Sequence, residues 1–533
     1  MEIVGMNNRD SNRFSWTRRQ VLGAAGGLVA AGSTIMGNRA ARAAQQFADP
    51  PTGPATGSVT FLSAENLSGK WNPYNHTLLA QLRLQVAAYD TIVLLDDNTG
   101  DYLPCLALAW SNPEPSIWEF KLREGVTFHD GTPFTARDVK ATIEYNSDPA
   151  QVGSFFFPNK FTCEVVGDHV VRINTGTPYA AMPALLACGG PVISPAHLIE
   201  AGKLDEKFVG TGPYKWVSYE GEEAGVKLTA NDAYWGEKAH IKDFTFRFVG
   251  DSQTRLAALR SGQAQIIDRV EPDQIAVIEA EPTLAVQRVN TVESKWMTFR
   301  VANPPMDNQK LRQAIARAVD VPSIVKYILL GDGEPNNCFL TAAHKFYGKS
   351  EIFPTYDPEK AKQLLAEAGF PQGKGLRELT YYVSVGFYPK TREYGQLVVQ
   401  NLADIGIKVN LQTLEVAKYN QLLFDPKAGD LFDHGWFIAA RDPEVLLSSL
   451  FRTALVTKIK SPKNVEVLEK ECSLLDPAQR AAYFTSAVIP TLETELYEFP
   501  MFTSQLVTGQ TKKLKNFIVP PTSNAHIERA WLE

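Results

Sequence analysis

Strand-like and helix-like patterns alternate along most of this 533-residue chain with no fixed repeat. A chain patterned this way folds as mixed α/β, and this one is too long for a single hydrophobic core, so two or three lobes are expected. Strands are predicted at 58–62, 118–123, 170–173, 227–229, 244–248 and 407–411, and a short apolar run at 91–95 ends in the turn residues Asp96 to Gly100. Helices are predicted at 78–89, 136–146, 252–261, 308–318, 357–368 and 394–404. Their ends carry recognisable chemistry. Thr135 is placed as an N-cap with Asp138 at the third position, and Asp357-Pro358 opens the helix that stops at Gly369. Gly262 and Gly406 close two others. Residues 47–57 read as a loose tail.

The N-terminus carries Thr17-Arg18-Arg19-Gln20-Val21-Leu22, an uncharged Ala/Gly-rich stretch at 21–37, and then Ala41-Arg42-Ala43. Paired arginines, a mild apolar segment and a small-x-small site read as a twin-arginine export signal over 1–43, cleaved after Ala43. The apolar stretch is short for a membrane span. Removing a leader of net charge +4 from a chain of −6 leaves −10. The first cysteine, Cys105, is far from the cleavage site, so a soluble periplasmic protein without a lipid anchor is expected.

An acidic chain without a basic stripe argues against nucleic acid as a partner. Cys105, Cys163, Cys188, Cys338 and Cys472 form no C-x-x-C pair, so no metal or other cofactor is expected. An oxidising compartment would allow one or two disulfides, with at least one thiol left over. Catalytic motifs are missing. Gly210-Thr211-Gly212 lacks the third glycine of a dinucleotide loop, and Tyr382-Val383-Ser384-Val385-Gly386 lacks the first glycine of a nucleophile elbow. The eight histidines are scattered, and an enzyme is not expected.

The run from Leu122-Arg123-Glu124-Gly125-Val126-Thr127-Phe128-His129-Asp130-Gly131 through Thr132-Pro133-Phe134-Thr135-Ala136-Arg137-Asp138-Val139 closely resembles a signature of the peptide/nickel-type (family 5) extracellular solute-binding proteins of ABC transporters. Gly210-Thr211-Gly212-Pro213-Tyr214 with Tyr234-Trp235-Gly236 is similar to another landmark. So are the segments 256–262, 311–320, 356–361 and 405–409, in order along the chain. The resemblance implies a periplasmic-binding-protein-like α/β fold, in which two hinged lobes clamp a ligand beside an extra domain. It places lobe I at 44–89, 179–292 and 506–533, the extra domain at 90–178 and lobe II at 293–505. It also implies capture of a small molecule by a monomer, closure about the hinge, and delivery to membrane permease subunits without covalent chemistry.

The same resemblance directs attention to Gly435-Trp436-Phe437-Ile438-Ala439-Ala440-Arg441-Asp442-Pro443. Peptide-binding members usually read Gly-Trp-x-x-Asp there, and that aspartate holds the ligand's α-ammonium. Here the position is Ala439, which forfeits a charge-assisted hydrogen bond of about 1.5–3 kcal/mol. An opine, a sugar conjugate or a modified peptide is therefore expected. The alternative is an ordinary peptide held by another carboxylate, Asp442 or Glu415. Trp436 and Phe437 offer surfaces for stacking. Arg441 would hold an anionic group or else pair with Asp442. Tyr388, Asn66 and His76 complete the expected ligand contacts.

Overall fold

The computed structural model describes residues 51–533 apart from 68, 76–78, 98, 386, 387, 437 and 455. The export leader thus lies outside the described residues. One large sheet runs through the protein. Its strands in chain order are β1 (Thr56–Ser63), β2 (Tyr214–Tyr219), β3 (Val226–Ala230), β4 (Ile241–Phe248), β5 (Ile266–Ile267), β6 (Leu284–Phe299), β7 (Glu334–Pro335), β8 (Leu379–Val385), β9 (Val409–Glu415), β10 (Leu431–Trp436) and β11 (Glu498–Thr511). Across the sheet the order is β9-β8-β10-β6-β11-β5-β1-β4-β3-β2, and β7 pairs with β11.

Two parallel groups flank an antiparallel spine. β1 runs parallel to β4 and β5, and β8 runs parallel to β9 and β10. Between them lie β6 and β11, antiparallel and 16 and 14 residues long. Their ladder slips between Asn290 and Ser294. Such an irregularity bends and twists a strand pair. On one side of it, β11 carries the β5-β1-β4-β3-β2 group. On the other, β6 pairs through Ser294 to Phe299 with β10. The two halves of the sheet therefore meet at this break.

Each half has its own core. Val59, Phe61, Tyr214, Leu228, Phe244 and Phe246 fill the first. Phe299, Leu311, Ile315, Tyr381, Val398 and Phe499 fill the second. A separate four-stranded sheet (Ala107–Glu114, Ile117–Leu122, Val170–Asn174, Thr162–Gly167 in spatial order) packs on the helix Ala136–Asn146 through Phe120, Phe134, Val139 and Val171. That core continues without a break into Trp296, Phe339, Trp436, Val445 and Leu450.

Local predictions hold at most element ends. The Asp138 carboxylate accepts from the Thr135 N–H at 2.8 Å, and Asp357 accepts from the Lys360 N–H at 2.9 Å. Gly262 and Gly406 adopt φ of 77° and 94°, which favours glycine. Two readings are corrected. β1 begins at Thr56, inside the expected loose tail. The helix expected from 394 begins at Thr391, because Lys390 adopts φ 55° and turns the chain into it. Arg312 donates to the carbonyls of Met306, Asp307, Glu495 and Leu496, while Asp320 caps the turn at Ser323. All five cysteines are buried and free of disulfides. Among the described residues, no helix is long and apolar enough to cross a membrane.

Candidate functional site

A cavity of about 90 Å³ lies where the two sheet halves and the four-stranded region meet. Two helices line it, α1 (Leu79–Ala88) and α4 (Val416–Leu423), while α2 (Pro272–Glu279) and α3 (Thr391–Asp404) flank a second cleft that shares Tyr388 with it. Leu79 and Leu82 of α1 line one side, with Phe155 and Phe156 from the turn after the helix Ala136–Asn146. Tyr419 and Leu423 of α4, with Trp436, Ile438 and Ala439 at and just beyond the end of β10, line the other. Trp436 packs in the core and also faces the cavity. Its ring meets Phe155 edge-on with centroids 6.3 Å apart, its indole N–H donates to Ser449 Oγ at 3.0 Å, and it forms part of the cavity wall.

The polar side of the cavity is sparse. Glu65 is the carboxylate among the described lining residues, and both its oxygens are engaged. One accepts from Arg269 at 2.8 Å, the other from the Ala80 N–H at 2.8 Å. Arg269 also lies 3.9 Å from Glu293. Tyr388 stands between two cations, with Lys295 Nζ 3.6 Å and Arg269 Cζ 4.8 Å from its ring centre. Its hydroxyl donates to the Gly435 carbonyl at 3.2 Å. A Cβ at position 435 would clash with that hydroxyl and with Glu293, so glycine is needed there. Behind the wall, Lys295 donates to Asp433 at 3.0 Å, and Tyr394 donates to the same oxygen at 2.7 Å. Burial pulls the Lys295 ammonium down and pushes the Asp433 carboxyl up; their mutual attraction opposes both shifts.

The structure thus puts Trp436, Tyr388 and Ala439 on the cavity wall. Asn66 is exposed and off the wall, while its neighbour Glu65 is on it. His76 and Phe437 lie outside the described residues. Arg441 is half-buried away from the cavity, its Nε donating to the Ala343 carbonyl at 3.1 Å and its guanidinium lying against Gly100. It does not pair with Asp442. That carboxylate is buried, off the cavity, and held by Arg480 through two bonds of 2.5 and 2.9 Å. Glu415 is exposed and off the wall.

Arg480 also donates to Glu471 at 2.7 Å, and Arg452 approaches Glu444 at 3.2 Å and donates to Cys472 Sγ at 2.7 Å. Glu444, Glu471 and Cys472 have the spacing of a metal cluster. Two guanidiniums already serve these groups, so the cluster works as an ion-pair brace beneath the 437–443 loop. Sequence reading missed Glu65, Arg269, Phe155, Phe156, Ser384, His434 and Asn420 as lining residues. The run Phe155-Phe156-Phe157 was a visible signal, since three aromatics in succession at a turn must bury a wall. The others become neighbours only through the sheet order.

Two sheet halves closing on an aromatic-walled cavity define a binding protein of the two-lobed periplasmic type. Comparison with known proteins agrees. Residues 101–456 match the family described as bacterial extracellular solute-binding proteins, family 5 Middle. The glutathione-binding protein GsiB of Pectobacterium atrosepticum is 30% identical over 430 residues, covering 77% of this chain and 82% of that one. The dipeptide-binding protein of a Pseudoalteromonas species, solved with Met-Leu, superposes with a TM-score of 0.81 at 22% identity over 90% of this chain and 100% of its own. AgaA from A. tumefaciens R10, solved with agropinic acid, gives 0.79 at 25% identity over 90% and 99%. The chain belongs to family 5 of the bacterial extracellular solute-binding proteins, the solute-capturing components of ABC importers.

Proposed function

We propose that this importer component captures a small organic solute that needs no free α-ammonium group, such as an opine, a sugar conjugate or a modified peptide. One observation carries the reading. On the described cavity wall, Ala439 stands where peptide binders are expected to have aspartate, and both oxygens of Glu65 are already engaged. Glu65 is the carboxylate among the described lining residues and its charge is already paired with Arg269, so an ammonium entering here would have to compete with that buried pair. The aromatic and aliphatic wall suits the body of such a solute. The ligands named for relatives are varied, namely glutathione, agropinic acid and Met-Leu, so membership of the family leaves the ligand class to the cavity residues.

In this reading residues 1–43 direct export to the periplasm. The lobes at 44–89, 179–292 and 506–533 and at 293–505 close about the β6–β11 break with the domain at 90–178, and a monomer docks on the permease. Mass spectrometry of solutes released from protein purified out of its native periplasm tests the ligand class. An acidic, glycosylated or N-blocked compound is expected; a set of ordinary free-amine peptides would overturn it. Replacing Arg18 and Arg19 with lysine is expected to hold the unprocessed chain in the cytoplasm, and continued export would refute the twin-arginine route.

A further inference from the structure

Ser384 and His434 sit on neighbouring strands of the second sheet half. β8 and β10 are parallel, and Val383 pairs with Asp433, so Ser384 and His434 follow one step along and lie abreast on the same face. Both line the cavity, and both are almost completely buried, at 1% and 3% exposure. Ser384 Oγ and His434 Nε2 each lack a hydrogen-bond partner among the described residues. Buried polar atoms are almost always paired, so two orphans side by side on a cavity wall call for an explanation.

His434 is wired from behind. Its Nδ1 lies 2.9 Å from Thr298 Oγ1, which lies 2.6 Å from Glu498 Oε2. Burial pushes the Glu498 carboxyl up to about 8, so it holds its proton at neutral pH. A protonated Glu498 can donate to Thr298, which frees the Thr298 hydroxyl hydrogen for Nδ1. In that arrangement the ring hydrogen lies on Nε2 and the orphan atom is a donor. The imidazole itself stays neutral: burial, with Lys295 and Arg300 nearby, lowers it to about 3.

We propose that Ser384 and His434 form a two-donor patch that receives a carboxylate oxygen of the captured solute. The inference rests on the proposed solute class and deepens it: the ligand is anchored by an acceptor rather than by an ammonium. It also gives a role to the serine in the incomplete elbow motif. Ser384 donates a hydrogen bond and attacks nothing.

The test uses N-acetyl-Met-Leu and its decarboxylated counterpart N-acetyl-Met-isopentylamide, titrated into the mature protein. Wild type is expected to prefer the acid by about tenfold, as for a pair of hydrogen bonds to a charged acceptor. Ser384→Ala and His434→Leu should each cut that preference severalfold, read as the ratio of the two affinities within each variant. His434→Gln, which keeps a donor, should retain most of it. An acid preference unchanged in both Ser384→Ala and His434→Leu overturns the patch. Nitrogen-15 NMR of imidazole-labelled protein, with the His434 signal assigned from the His434→Gln variant, gives a ligand-free readout. Hydrogen on Nε2 is expected, and hydrogen on Nδ1 overturns the donor assignment. If neither probe binds wild type, the solute class fails, and the tautomer still decides the patch.

Discussion

Asp442 lies off the cavity wall and is anchored by a buried ion-pair network. Its carboxylate accepts two bonds from Arg480, and Glu471 takes a third from the same guanidinium. All three groups are buried, so removing the cation strands the Asp442 charge, with Glu471 beside it, in a medium that cannot solvate it. Arg480→Leu is expected to lower unfolding stability by roughly 3–5 kcal/mol, as in other broken buried pairs. Urea denaturation measures it, and a loss under about 1 kcal/mol would contradict the brace. At this scale the sequence was partly legible. Trp436, Tyr388 and Ala439 stand on the wall because a large aromatic, or an alanine in a telling position, can be noticed along one segment. Ser384, His434, Glu65 and Arg269 were hidden because their roles depend on partners more than 40 residues away and on strand order.

At the scale of elements, Lys390 ties α3 to α2 across the cleft that shares Tyr388 with the cavity. Its ammonium lies 3.1 Å from Asp273 and 3.8 Å from Glu271. The two helices belong to opposite halves of the sheet, so the pair favours their approach. Partly exposed pairs contribute little, roughly 0.2–1 kcal/mol. Lys390→Gln is therefore expected to weaken solute affinity by about two- to fivefold at low salt, an effect of the size such pairs measure. The difference should vanish at high ionic strength, where screening removes the pair in wild type as well. Equal weakening at all salt concentrations, or none at low salt, would show that the contact does not couple to binding. Helix ends were the most legible elements: Asp138, Asp357, Gly262 and Gly406 act locally, and local chemistry is what a sequence displays. The single large sheet was not legible, because β6 must be recognised as the partner of both β10 and β11, and periodicity holds no record of pairing.

The whole molecule should respond to pH through a few buried groups. His526 lies 2.8 Å from Glu528 and 3.2 Å from Asp97. Burial alone would lower its pKa, but these carboxylates outweigh burial and push it up to about 9. The folded state then holds a proton that the unfolded chain releases above about 6.5, so this stabilisation is full below about 6.5 and fades toward 9. Burial also pushes Glu498 to about 8 and Glu493 to about 7, so the folded form is penalised progressively from about 4.5, where the unfolded carboxylates ionise, up to those values. His129 and His344, lowered to about 4 by burial, and His434 work oppositely, but only below about 6.5. Unfolding stability is thus expected to fall between pH 6.5 and 9, with His526 contributing at most about 3 kcal/mol. His526→Gln should flatten the upper part of that fall. A flat or rising profile over this range would contradict the assignment.

The fold class, the membership of the family and the capture role were all within reach of the sequence. The ligand class proposed for the cavity rests on Ala439, which carries no carboxylate, and on a Glu65 already paired with Arg269. Calorimetric titration of the mature protein with Met-Leu and N-acetyl-Met-Leu tests that claim most directly. The two differ at the amino group alone. The acetylated compound is expected to bind at least as tightly as the free amine. A preference for free Met-Leu of tenfold or more would show that the cavity does hold an ammonium, and would contradict the account.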